Sequence, residues 1–400
     1  MNTRENAKNY QTNQTYMSNI TLWGLLLLVI STIINTSKYG ASLSWVILPC
    51  ILIPTGWIFN AAHHPFKLSS EYFYIFIFWM LFCISTALSD IVNIERDLIT
   101  FLAFCFVLFC ATIYPCSARQ LKRIINVYIT VAIIVEINVI YNWFSHNYYS
   151  TWFRRASFYL MGIHKDPNYV MAYVLPAVAF SFIRLINEKK FISRLFDLIV
   201  LAISALAIVA TGSRSPMLTF ILFFAIYFLM STTMNAKKKA NVIFIGVVIA
   251  LIFIYLIKKY YPAQALSRLS NTEDPRINLW KSAFNVFKTH PLIGGGMSAA
   301  TTISRANAGN DSHNVYLDIL CNSGIIGSLI FIVYFYVSAL KSTKANRAFT
   351  YSIVVAFMLP MFFINGFNTA TFYTPLILLS LMSKYCSKSN TSYLDFMIKE

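Results

Sequence analysis

From residue 20 to residue 258 the chain is a succession of apolar runs divided by short polar segments, and three more runs follow residue 315. Each run is about 20 residues long, the length a helix needs to cross the hydrocarbon of a bilayer. With 58% hydrophobic and only 12% charged residues, where soluble domains carry about a quarter charged, too little polar length remains for a sizeable water-soluble domain. The expected fold is an all-α integral membrane protein of about 12 transmembrane helices. They fall at roughly 20–36, 41–61, 72–89, 98–115, 122–144, 168–187, 192–211, 214–232, 240–258, 316–340, 348–366 and 370–384, with ends placed to about 2–4 residues. The first 20 residues are polar, carry Arg4 and Lys8, and show no apolar core followed by a small-residue cleavage site. The first apolar run is therefore read as a true span rather than a signal peptide.

The charge is lopsided, with 32 Lys and Arg against 15 Asp and Glu. A basic soluble domain would suggest nucleic acid. No such domain exists to carry the surplus here, so no nucleic-acid partner is expected, and topology and anionic lipid or phosphate ligands are the better readings. Basic residues resist translocation. With both termini in the cytoplasm, 19 of the 32 basic residues lie on that side and 13 on the other. The sequence then reads as one polytopic domain, 1–400, with two outer segments too long to be mere connectors, at 145–167 and 259–315. No internal repeat is visible, which argues against a transporter built from duplicated halves. The seven cysteines show no disulfide or zinc spacing and read as buried or reduced thiols.

Five constellations could carry chemistry. In the turn Thr211-Gly212-Ser213-Arg214-Ser215-Pro216, one arginine stands at the mouth of two spans. Either it snorkels to lipid headgroups, or its planar fork binds a phosphate. Within 259–315, Asp274 and Pro275 open a helix with Ile277, Trp280, Phe284 and Phe287 at helical spacing, ending before His290-Pro291. Such an amphipathic helix would lie in the membrane interface and hold Arg276 where it can meet a lipid-borne anion; the alternative is a plain anchor. The run Pro291-Leu292-Ile293-Gly294-Gly295-Gly296 permits close backbone approach but has no phosphate-loop ending. Ser312-His313-Asn314 then leads into a span containing Asp318, Gly324 and Gly327. A histidine there can accept a proton near neutral pH, although a lone interfacial histidine is more often structural. The two glycines could simply allow close helix packing. The 145–167 loop adds Arg154, Arg155, Lys165 and Asp166 among Tyr148, Tyr149, Trp152 and Phe153, aromatics that suit sugar rings or a membrane interface.

The order of these features resembles the O-antigen ligase/O-antigen polymerase superfamily. The features are an outer Gly-Ser-Arg turn, one large outer loop with Arg-x-x-x-Trp and His-Pro-Leu-Ile-Gly-Gly-Gly, and His-Asn-x9-Gly-x-x-Gly entering the next span. The resemblance implies a metal- and nucleotide-independent glycosyltransferase of the bacterial inner membrane, with no cofactor and an active site facing the periplasm. Its donor would be a glycan on undecaprenyl pyrophosphate, and its acceptor a saccharide hydroxyl, on lipid A-core for a ligase or on a growing glycan for a polymerase. It also implies His313 as the catalytic base and Arg214 and Arg276 as ligands of the donor pyrophosphate. Asn314, Lys165, Asp166, Arg154, Arg155 and Arg305 are candidate substrate-binding residues by position. The His-Asn motif is closest to the ligase branch, and a non-catalytic polysaccharide transporter is the reading from a different class.

Overall fold

A computed structural model describes residues 16–34, 44–66, 68–90, 95–151, 154–160, 162–187, 190–231, 276–340, 347–367 and 369–389, with scattered positions between 235 and 259. Five helices come first: α1 (Asn19–Ile34), α2 (Ser44–His63), α3 (Ser70–Ala87), α4 (Glu95–Thr112) and α5 (Ala118–Phe144). A two-residue antiparallel hairpin, β1 (Tyr159–Leu160) with β2 (Ile163–His164), then leads to α6 (Pro167–Asn187), α7 (Phe191–Thr211) and α8 (Arg214–Met230). After α9 (Arg276–Thr289) and α10 (Ala299–Ala308) come α11 (Val315–Phe335), α12 (Arg347–Met358) and α13 (Ala370–Ser389).

Among the described residues six helices are long and apolar enough to cross a membrane, and four further apolar helices are shorter. These elements fall on the apolar runs expected to form spans. The expected span at 240–258 lies largely outside the described residues, as do Asp274 and Pro275 at the expected start of α9. The span expected at 348–366 is shorter than anticipated. Its α-helix stops at Met358 and a single 3-10 turn, Leu359–Phe362, follows. Pro360 has no N–H to continue the ladder, and the chain leaves the helix after Phe362.

The core lies around α6, in which every residue from Val170 to Ile183 is buried. Other spans expose apolar faces, as Leu48, Ile51 and Ile58 of α2 do, so it is this burial on all sides that marks α6 as the interior helix. Contacts that involve charged side chains lie at both ends of this bundle. At one end Arg184 meets Asp197 through Nε at 2.8 and 2.9 Å, and Lys384 pairs with Glu71 and donates to Thr112 O at 2.6 Å. At the other end Lys165 Nζ donates to Ile33 O at 2.8 Å and Ser298 Oγ to Asp97 Oδ2 at 2.6 Å. These contacts join helix ends that the expected up-and-down alternation places on the same side.

The span beginning at residue 315 is broken. Gly324 has φ 65° and ψ −169°, far from helical values. Into the break docks the Pro-Leu-Ile-Gly-Gly-Gly segment: Gly295 N and Gly296 N donate to Cys321 O and Asn322 O at 2.9 and 3.1 Å, while Ile325 N and Ile326 N donate to Pro291 O and Leu292 O at 2.9 and 3.2 Å. Ser85 Oγ on α3 bridges Gly294 O and Asn322 O at 3.1 and 3.0 Å. The glycine run and Gly324, separate motifs in the sequence, are thus two halves of one backbone-to-backbone joint. At Gly324 this joint replaces the expected helix-helix packing.

Candidate functional site

His313 sits at the second end of the bundle, two residues before α11, in the left-handed region at φ 49°. For a residue with a Cβ this conformation costs about 1–3 kcal/mol unless the surroundings impose it, and the neighbours of His313 are fixed on both sides. Ser312 O accepts from Trp280 Nε1 of α9 at 2.8 Å, and Ser312 Oγ donates to Asp318 Oδ1 at 2.5 Å. Asn314 caps α11, its Oδ1 accepting from the backbone N–H of Tyr316 and Leu317 at 3.1 Å each. Asp311 accepts from Arg305 and from Asn365 Nδ2. Among the described residues no hydrogen bond to the His313 ring is recorded, so what is fixed at this position is the backbone.

Burial pushes the His313 imidazole below its ordinary value of 6.5; Asp166 draws it back up, Arg276 pushes it down and Asp311 raises it. Charges from both outer segments, Asp166 and Arg276, are thus among those that bear on this ring. Asp166 belongs to the smaller segment, where its Oδ1 accepts from Asn168 N at 2.7 Å and its Oδ2 from Tyr149 Oη at 3.2 Å. Arg276 opens α9 and stacks over the Phe363 ring at 5.5 Å.

Arg214 is the first residue of α8, directly after the left-handed cap Gly212 and the N-cap Ser213. The turn is tied to the same segment as Asp166: Ser213 Oγ donates to Asn168 Oδ1, and Ser215 Oγ reaches that atom at 3.4 Å. Asn168 thus holds the arginine turn while Asp166, two residues away, acts on His313.

The residues proposed from position serve the scaffold as well. Arg155 is buried and its Nε donates to Thr211 O at 2.9 Å, pinning the end of α7 just before the arginine turn. Lys165 holds the last turn of α1, and burial pushes its amine down to about 7. Arg305 is engaged by Asp311, Asn314 is a helix cap, and Arg154 is exposed on a left-handed turn. Asp311, Asn365, Tyr169 and Phe363 were not anticipated. Tyr169 Oη donates to Asn365 O at 2.8 Å, joining α6 to the loop after α12. The Asn-Gly pair at 365–366 was the available signal for that loop.

The fold and this polar end define a multi-pass all-α membrane protein whose site is gathered from loops at one end of the bundle. Residues 199–332, about a third of the chain, match a protein-family model described as O-antigen ligase, which supports the O-antigen ligase/polymerase superfamily. The matched stretch contains the Arg214 turn, α9, the glycine run, His313 and Gly324. No curated protein matches the chain.

Proposed function

We propose that the protein is a glycosyltransferase that moves a glycan en bloc from undecaprenyl pyrophosphate to a saccharide hydroxyl. The observation that supports this reading is a chain of hydrogen bonds: Asn168 holds the Arg214 turn, its neighbour Tyr169 reaches Asn365, and Asn365 reaches Asp311, two residues before His313, while Arg276 lies over Phe363 of the same loop. His313 takes the proton of the acceptor hydroxyl as the oxygen attacks the anomeric carbon. The bond from that carbon to the pyrophosphate oxygen breaks, and the charge gathering on the leaving group meets Arg214 and Arg276. Two arginines supply the positive field such a leaving group needs, so the reading calls for no cofactor.

In this reading the site faces the periplasm from the bacterial inner membrane, with both termini cytoplasmic, as the distribution of basic residues suggests. The His-Asn motif favours a ligase acting on lipid A-core. The compact outer loop, 259–315, favours a second reading, a repeat-unit polymerase using the same donor.

The test is His313→Ala and Arg214→Ala in protein shown to be inserted and abundant, assayed with a purified polyprenyl-pyrophosphate-linked glycan. Loss of a base predicts a fall of about 10²-fold or more; full retention of transfer by both variants overturns the assignment. Surface-polysaccharide gels of a deletion strain separate ligase from polymerase. Bare core with accumulated lipid-linked polymer marks a ligase, and core bearing one repeat unit marks a polymerase.

A further inference from the structure

Away from His313, α9 and α10 enclose an open concavity of about 580 Å³ lined by Lys281, Ser282, Phe284, Asn285, Lys288 and Asn307. Its lining contains two cations, two amides and one aromatic ring, and no acidic side chain. Lys281 and Lys288 are seven residues apart on α9, about 10 Å along the axis. Lys288 folds back so that its Nζ lies 5.9 Å from the Phe284 ring centroid, bringing its charge towards the middle of the concavity. Ser282 forms the floor, with its Oγ donating to Ile303 O at 3.3 Å across to α10. None of these groups takes part in the His313 cluster.

We propose that this concavity binds an anionic saccharide, a sugar ring carrying a carboxylate or a phosphate. The amides of Asn285 and Asn307 offer donors and acceptors to ring hydroxyls, Phe284 offers a face to the ring, and the lysines meet the anionic group. A lipid headgroup fits less well, because the lining has no aliphatic wall to receive acyl chains. The volume is that of a small-molecule site rather than of a single phosphate. Measured along α9, the two lysines stand about 7 and 18 Å beyond Arg276. A glycan engaged at His313 would therefore reach the concavity with a sugar removed from its reacting end. Only this last point rests on the glycan-transfer reading; the binding itself does not.

The experiment uses the purified full chain in a detergent without a sugar headgroup, titrated by calorimetry with tetragalacturonate and with neutral maltotetraose. The acidic tetramer is expected to bind at least tenfold tighter, and Lys281→Gln with Lys288→Gln to erase that preference without moving the thermal midpoint. Asn285→Ala is expected to weaken both tetramers. His313→Ala should bind the acidic tetramer as the parent does, so loss of transfer and loss of binding are separable. Equal affinity for the two tetramers, or a preference that survives the double lysine substitution, overturns the proposal. So does a lysine-dependent preference for phosphatidylglycerol over phosphatidylcholine vesicles when the tetramers bind alike.

Discussion

A Cβ on Gly324 would lie 2.3 Å from the carbonyl oxygen of Leu292, a residue 32 positions earlier in the chain. The backbone of α11 and the loop that docks into it approach more closely than any side chain permits, and Gly324 is also held at φ 65°. The mirror contact is as tight, since a Cβ on Gly294 would lie 2.4 Å from Asn322 O. Gly324→Ala is therefore expected to lower the thermal midpoint of the detergent-solubilised protein and to reduce transfer. Gly162→Ala is the control: it shares a positive φ, of 81°, but its Cβ would meet nothing within 4 Å. It should cost about 1 kcal/mol from backbone strain, and a loss as large as that of Gly324→Ala would show that the joint is not what makes Gly324 necessary.

The acid limb of the transfer rate is expected to report His313. Only the neutral imidazole accepts a proton, so the rate falls as pH drops through its pKa, which burial holds below 6.5. Asp166 stabilises the imidazolium, so Asp166→Asn should move the limb to lower pH. Arg276 destabilises it, so Arg276→Gln should move the limb to higher pH. Rate profiles of the two variants shifted in the same direction would contradict this arrangement.

Lys165 gives a stability signature of opposite character. Its amine is held near 7, below the ordinary 10.5, because burial disfavours the charged form. Between these values the unfolded chain binds the extra proton, so this group makes stability rise with pH from about 7 to about 10. Lys165→Met should remove that contribution. Thermal midpoints measured across this range should rise less with pH, or fall more, in the variant than in the parent.

Arg305 and Arg276 should behave differently although both are outer-face arginines. The Arg305 guanidinium is committed to Asp311 and its side chain is 65% exposed, and such surface pairs contribute about 0–1 kcal/mol. Arg305→Gln is expected to shift the thermal midpoint only slightly and to reduce transfer less than tenfold. Arg276→Gln should reduce transfer by more than that at saturating acceptor, and a transfer assay on the two variants side by side checks the order.

The spans were legible because each apolar run announces itself without help from the rest of the chain, as α5 and α7 show. The break at Gly324 was not. Its cause lies 28 to 33 residues away in Pro291–Gly296, and no local pattern records which glycine will receive a loop. Helix α10, Ala-Ala-Thr-Thr-Ile-Ser-Arg-Ala-Asn-Ala, was missed because its buried face is made of Ala299, Ala300 and Ile303, too small and too few to stand out as an apolar run, and it is held by contacts to α9 and α11. His313 and Arg214 stood out as candidates because each is an ionisable group beside a span, and Arg276 because it opens an amphipathic helix in the long loop. Asp311 and Asn365 could not, since their importance comes from meeting each other across 54 residues.

That meeting also sets a condition on biogenesis. The residues grouped with His313 draw on α9 and finally on Phe363 and Asn365, which lie between the twelfth and the last of the thirteen numbered helices. A nascent polypeptide halted before residue 365 would have nearly all its hydrophobic segments in the bilayer and still lack the contacts that fix Asp311 and Arg276. A protein that performs the proposed transfer at this site would therefore remain inert through most of its own synthesis, until the loop after α12 has emerged.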